Sequence, residues 1–169
     1  MVELLSIIKS PEDFFNELVE RVLGDKKASI NDQLKFYLVS LLSENVKPDI
    51  LLKKNEKHPY ADEPLAVIFQ QSQFEADEKR KQMLKYVGDY SLYVAGYFQE
   101  SLNRKIVGPD YYVCIGGEAF RSLSSISKQK SLSELYYDIF YNFAELLFAL
   151  RDISTITTSI NNRYVLKLQ

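Results

Sequence analysis

Tryptophan is absent from this chain of 169 residues, and cysteine and histidine occur once each. A lone cysteine, Cys114, makes no disulfide within the chain, so a reducing, cytoplasmic setting is expected. One histidine and one cysteine, far apart in sequence, are a poor inventory for zinc. The chain also lacks the Glu-x-x-His pairs that dinuclear carboxylate centres draw from facing helices. No metal and no cofactor is therefore expected. His58, between Lys57 and Pro59, is read as a solvated loop residue, and Cys114 as a small buried thiol beside Val113 and Ile115. There is no P-loop, no G-x-G-x-x-G fingerprint and no G-x-S-x-G elbow. No catalytic residue is assigned on these grounds.

Charge of one sign is missing too. Twenty-one basic residues face 23 acidic ones, for a formal net charge of −2. Nucleic acid needs a clustered positive surface, and Lys79, Arg80, Lys81 and Lys85 are interleaved with acids, so no nucleic-acid partner is expected. The longest apolar stretch, Ile139 to Leu150, is interrupted by Asn142 and Glu145. It falls short of the ~20 apolar residues a spanning helix needs, so no membrane span is expected. The opening MVELLSIIKS lacks a basic head and a small-residue cleavage site, and is not expected to act as a signal peptide.

Glycine and proline are scarce, at six and five, and most lie between periodic segments. That pattern predicts an all-α, single-domain bundle of six to seven helices over residues 1–169, with no significant sheet. Ser10-Pro11-Glu12-Asp13 predicts a first helix, with Ser10 as N-cap and Pro11 at the first helical position. Phe14, Leu18 and Val22, with Phe15, Val19 and Leu23, supply its apolar face, and Gly24 its end. Leu4 to Ile8 is expected to add a short turn before it. A second helix is predicted from Ser29 or Asn31 to about Glu44, on the stripe Leu34, Tyr37, Leu38, Leu41 and Leu42. A short helix at 49–54 follows, in a region broken by Pro48, Pro59 and Pro64. The third helix is expected to run unbroken from Glu63 to Val87, with a solvated second half. Gly88-Asp89 reads as a boundary, with Asp89 as N-cap of a fourth helix ending near Leu102. Pro109 opens a fifth. Ser131 and Glu134 form a capping box for a sixth, from Leu132 to Leu150. A weak helix at 152–160 and a strand-like tail complete the expectation.

What the chain does contain is tyrosine, twelve in all, concentrated in residues 88–123 and in the sixth predicted helix. A tyrosine buries a large ring yet must satisfy its hydroxyl, which suits a core rim, an interface or a polar-lined cavity. Tyr93, Tyr97, Tyr112 and Glu118 are the ligand or interface candidates. Glycine inside a helix costs about 1 kcal/mol relative to alanine. Gly88, Gly96, Gly116 and Gly117 are thus expected to mark close packing, with Gly116-Gly117 against Ala95 and Gly96. Glu100 is a partner that Glu118 would meet if the fourth and fifth helices packed antiparallel.

The block GDYSLYVAGYFQESLNRKIVGPDYYVCIGGEAF resembles the signature of an uncharacterised bacterial family of helical proteins. In that signature a Gly-Asp-x-Ser-Leu-x-x-x-Gly-aromatic-Phe run precedes Ser-Leu-x-x-Lys and a Tyr-Tyr…Gly…Ala-aromatic run. The resemblance covers residues 84–123. It implies a bacterial all-helical domain and brings no activity, cofactor or catalytic residue with it. Val87-Gly88-Asp89 is also similar to the Leu-Gly-Asp-like segment of haem oxygenases, but their proximal histidine has no counterpart here.

A tyrosine-rich pair of central helices without catalytic machinery is expected to serve protein interaction or self-association, a homodimer being one form. The alternative expectation is a small-molecule binder or enzyme, with a tyrosine-lined pocket between the fourth and fifth helices.

Overall fold

The computed structural model describes residues 10–24, 30–47, 49–98 and 107–168 of the chain. The expected turn at Leu4 to Ile8, a helix start at Ser29, a helix end near Leu102 and the Glu100 side chain lie outside the described residues. Among the described residues the protein is all-α, with no strand. Helix α1 is Pro11–Leu23, α2 Asp32–Glu44, α3 Asp49–Leu52 and α4 Leu65–Ser72. Helix α5, Asp77–Leu92, runs into a π turn at Tyr93–Tyr97; α6 is Pro109–Ile126, α7 Lys130–Tyr141 and α8 Phe143–Leu168.

Local signals set several of these starts. The Ser10 hydroxyl accepts from the Asp13 amide at 3.2 Å, and Asn31 Oδ1 accepts from the Leu34 amide at 3.0 Å. Each satisfies one of the orphan donors of a first turn. Pro109 takes the first position of α6 after Gly108.

Other boundaries move. The long third helix breaks between α4 and α5. No side chain from Gln73 to Gln82 is buried, so packing does not hold this stretch to one axis. Asp77 and Glu78 then favour a fresh helix start, where acids complement the dipole. In the other direction, the boundary expected at Gly88-Asp89 does not exist. Asp89 is no N-cap: it lies inside α5, buried, in a stretch from Tyr86 to Ala95 that is buried on every side. A helix apolar or small all round belongs at the centre of a bundle, and here α5 packs on α6 while the π turn packs on α8.

Ser131 is not a cap either. The Ser133 amide donates to the Gln129 carbonyl at 3.0 Å, which starts α7 at Lys130 with Gln129 as N-cap. Ser124 and Ser133 hold that start in place, each hydroxyl donating to the other's carbonyl at 2.8 Å. The predicted Leu132–Leu150 helix ends at Tyr141. Buried Asn142 turns its amide side chain back to the Asp138 carbonyl at 2.9 Å, and the chain restarts as α8. Helix α8 continues through residues 152–160, and the tail expected to be strand-like is helical to Leu168.

Three of the four selected glycines are packing contacts. A Cβ at Gly88 would stand 2.6 Å from Phe120 Cε2, one at Gly96 2.7 Å from Leu150 Cβ, and one at Gly116 2.5 Å from Ser91 Cβ. Gly117 is different, since its nearest neighbour, Phe140, would lie at an ordinary 3.7 Å. Ser91 and Phe143, not Ala95 and Gly96, close over Gly116. No helix of the described residues is long and apolar enough to cross a membrane.

Candidate functional site

The interior of α5 carries a charge cluster that its sequence context disguises. Asp89 accepts the Tyr37 hydroxyl proton from α2 on Oδ1, and Lys85 Nζ, one turn earlier on α5, lies 2.6 Å from Oδ2. The Lys85 ammonium also sits over the Tyr37 ring, 5.5 Å from its centroid, a favourable cation–π placement. Burial, followed by the Asp89 charge, pushes the Tyr37 phenol well above its usual range. The Asp89 carboxylate raises Lys85. The result at neutral pH is a neutral phenol that donates and an ammonium that stays charged. The Lys85 side chain is 45% exposed and that of Asp89 12%, so the cluster closes toward the core and opens toward solvent.

It opens into a groove of about 520 Å³ between α2 and α7. On α2, Gln33, Phe36, Tyr37, Ser40, Leu41 and Glu44 line it. Their spacing of i, i+3, i+4, i+7, i+8 and i+11 is one continuous helix face. The first turns of α7 provide the other wall through Ser131, Leu132 and Leu135, with Lys85 and Asp89 between. Ser131, read as a cap in sequence, is thus a groove residue. Phe36 is 72% exposed and Leu132 39%, so large apolar side chains stand at the edge of a polar floor. Among the described residues, the carboxylates of Asp32, Glu44 and Asp89 line the groove against one ammonium, that of Lys85. Glu44 meets Lys57 only at 3.9 Å with both side chains open to water, and the fully exposed Asp32 lies 3.9 Å from Lys35, a lysine closer to Glu20. Such pairs are worth about 0–1 kcal/mol and leave the groove acidic.

The sequence-selected residues do not form one pocket. Tyr93 and Tyr97 line a cleft against α8. Tyr112 lines a separate cleft of about 460 Å³ with Pro64, Tyr86, Tyr90 and Tyr111. Glu118 lines neither of them and pairs with Arg121 at 3.3 Å on the surface of α6. Tyr93 and Tyr112 are themselves core residues, among the largest fully buried side chains. The Tyr93 hydroxyl donates to the Asn45 carbonyl at 3.2 Å, and Tyr86 to the Leu51 carbonyl at 3.1 Å. Tyr93 and Tyr86 are therefore core residues whose hydroxyls are satisfied by backbone carbonyls.

Two further expectations change. Cys114 is exposed, not buried, because α6 turns the Tyr112, Gly116, Ala119, Phe120 and Leu123 face inward. His58 is half-buried, its ring 4.9 Å from that of Tyr86, and burial lowers its pKa, with Lys57 adding to the effect. Among the described residues no group of three His, Cys, Asp or Glu side chains is placed to hold a metal ion.

Sequence reasoning missed the Tyr37–Asp89–Lys85 cluster. The spacing of Lys85 and Asp89, i and i+4, was the available signal; Tyr37, 52 residues from Asp89, gave none. No protein-family model matches the chain, and no curated protein or solved structure shows significant similarity to it.

Proposed function

We propose that this chain is a protein-interaction module, and that the groove between α2 and α7 receives an amphipathic, basic helix of a partner protein. The observation that carries this reading is Phe36, 72% exposed at the lip of an acidic, apolar-walled groove. A large aromatic held in water gains nothing until another surface covers it, and aromatic side chains are frequent anchors of interfaces. The α2 face along the groove, Gln33 to Glu44, is about 16 Å long at 1.5 Å per residue. That suits a helix of three turns laid into it by i, i+3, i+4 and i+7 anchors. Asp32 and Glu44, both lining the groove, would meet basic residues of the partner.

A bacterial, cytoplasmic setting and kinship with the helical family that residues 84–123 resemble belong to the same proposal. The kinship rests on the quoted residues and lends no activity. Association of two copies of this chain is the competing form of the interaction reading.

Native mass spectrometry across a concentration series, together with partner capture, tests it. Phe36→Glu is compared with Phe74→Glu, a change at a side chain 86% exposed and away from the groove. A partner lost with the first and kept with the second supports docking at the groove. A dimer with the same dependence places a second copy there instead. A monomer at every concentration, with no partner whose capture depends on Phe36, overturns the proposal.

A further inference from the structure

We propose that the cleft between the π turn and α8 binds a neutral saccharide. This inference goes beyond the interaction reading and uses a different surface.

The cleft encloses about 520 Å³, within the range of small-ligand sites. One side is aromatic: the half-buried Tyr97 and Phe98 rings present it, backed by the buried ring of Tyr93, which lies 5.7 Å from Tyr97 and is stacked on Phe98 at 6.0 Å. The other side is α8, which contributes hydroxyl and amide groups from Ser154, Thr155, Thr157, Thr158, Asn161 and Asn162. Among the described residues no charged side chain lines it. The groove at Lys85 and Asp89 has the opposite character, so neutrality is a property of this cleft and not of the whole surface.

Packing does not explain the α8 composition. From Ile153 to Asn162 the helix carries no charge and consists of Ser, Thr, Asn and Ile. These are residues of modest or poor helix propensity. Thr155, Thr158, Ser159, Asn161 and Asn162 are exposed, where lysine, glutamate or alanine would build a helix better. A local choice that opposes the local structure without filling the core marks a surface kept for another purpose.

The π turn ends this helix, with the Phe98 amide donating to the Tyr93 carbonyl at 2.7 Å, a common way for a helix to finish, and it sets Tyr97 and Phe98 beside α8. Here Arg151 Nε donates to the Ala95 carbonyl within the turn at 3.3 Å, which ties the turn to α8.

The hydrogen-bonding inventory fits a polyol. Thr155 and Thr157 donate their hydroxyl protons to the Arg151 and Ile153 carbonyls, at 3.0 and 2.8 Å. Their oxygens retain lone pairs for a ligand hydroxyl. The Asn161 and Asn162 amides offer donor and acceptor side by side. A sugar presents C–H groups on one face, to lie on the Tyr97 and Phe98 rings, and hydroxyls around its edge to meet these neutral partners. A charged ligand would find no counter-charge among the described lining residues.

Saturation-transfer NMR on the full chain tests this, with maltotriose, cellobiose and chitobiose as probes. Transfer to sugar ring protons is expected for at least one of them, unchanged from low to high salt because no charges pair. It should be lost in Thr158→Lys and in Asn162→Lys, which alter exposed side chains and leave the helical circular dichroism in place. Phe36→Glu should leave it intact, separating this cleft from the interaction groove. Absence of transfer from all three sugars to the folded chain overturns the proposal, as does transfer that survives both lysine variants.

Discussion

The hydroxyl of Tyr37 on α2 donates to the carboxylate of Asp89 on α5, joining two residues 52 positions apart. It is a polar tie between a groove-lining helix and the buried central helix. The same carboxylate takes the Lys85 ammonium on its other oxygen, so one side chain inside the bundle sets the floor of the groove.

Tyr37→Phe keeps the ring and its edge-on contact with Phe120, 5.9 Å between centroids, while removing the donor. Leaving a part-buried carboxylate oxygen short of a partner costs about 1–3 kcal/mol. The urea unfolding midpoint should fall accordingly with the slope unchanged. An unaltered midpoint would mean that water replaces the phenol at no cost.

Gly88→Ala and Gly117→Ala should shift stability in opposite directions. The first places a methyl 2.6 Å from the Phe120 ring, the second 3.7 Å from Phe140. Overpacking at Gly88 should cost about 1–3 kcal/mol. At Gly117 the better helix propensity of alanine should add about 0.4–1 kcal/mol. Thermal unfolding of the two variants beside the parent chain gives the order directly, and equal effects would refute the packing account of Gly88.

His58 should make stability fall on the acid side of neutrality. Its folded pKa is lowered from 6.5, first by burial and then by Lys57. The unfolded chain therefore takes up the proton first as pH falls through 6.5. Stability is whole above that value, declines below it, and levels off once the folded state is protonated too. His58→Phe keeps a ring on Tyr86 and removes Nδ1, which is buried without a hydrogen bond. Denaturation midpoints followed from pH 7.5 down to about pH 5, a window that brackets the ordinary histidine range, should drop less in the variant. Parallel curves would place the acid sensitivity elsewhere.

The helical class, the first turn at Ser10, the start of α2 at Asn31 and the start of α6 at Pro109 were legible from residues three or four apart. Caps and apolar stripes are local interactions, and their partners sit within one turn. Gly88-Asp89 misled for the same reason. Glycine followed by aspartate is punctuation in local terms, but here the glycine admits Phe120 and the aspartate answers Tyr37 and Lys85. Ser131 likewise carried a capping pattern, until the Ser124–Ser133 exchange started the helix one residue before it.

The selected tyrosines divide along the same line. Their number and spacing announced an aromatic centre, and Tyr93 and Tyr112 are in the core. Which cleft each borders depended on α8 and on the segment at Pro64, elements remote in sequence. The sequence by itself determined that this protein is a helical bundle with a tyrosine-rich centre, because periodicity and end signals act over a single turn. Only the tertiary structure decided where the bundle opens, which charges share a groove and where the neutral cleft lies. Those relationships join side chains that no local pattern connects, and exist only once packing has brought their helices together.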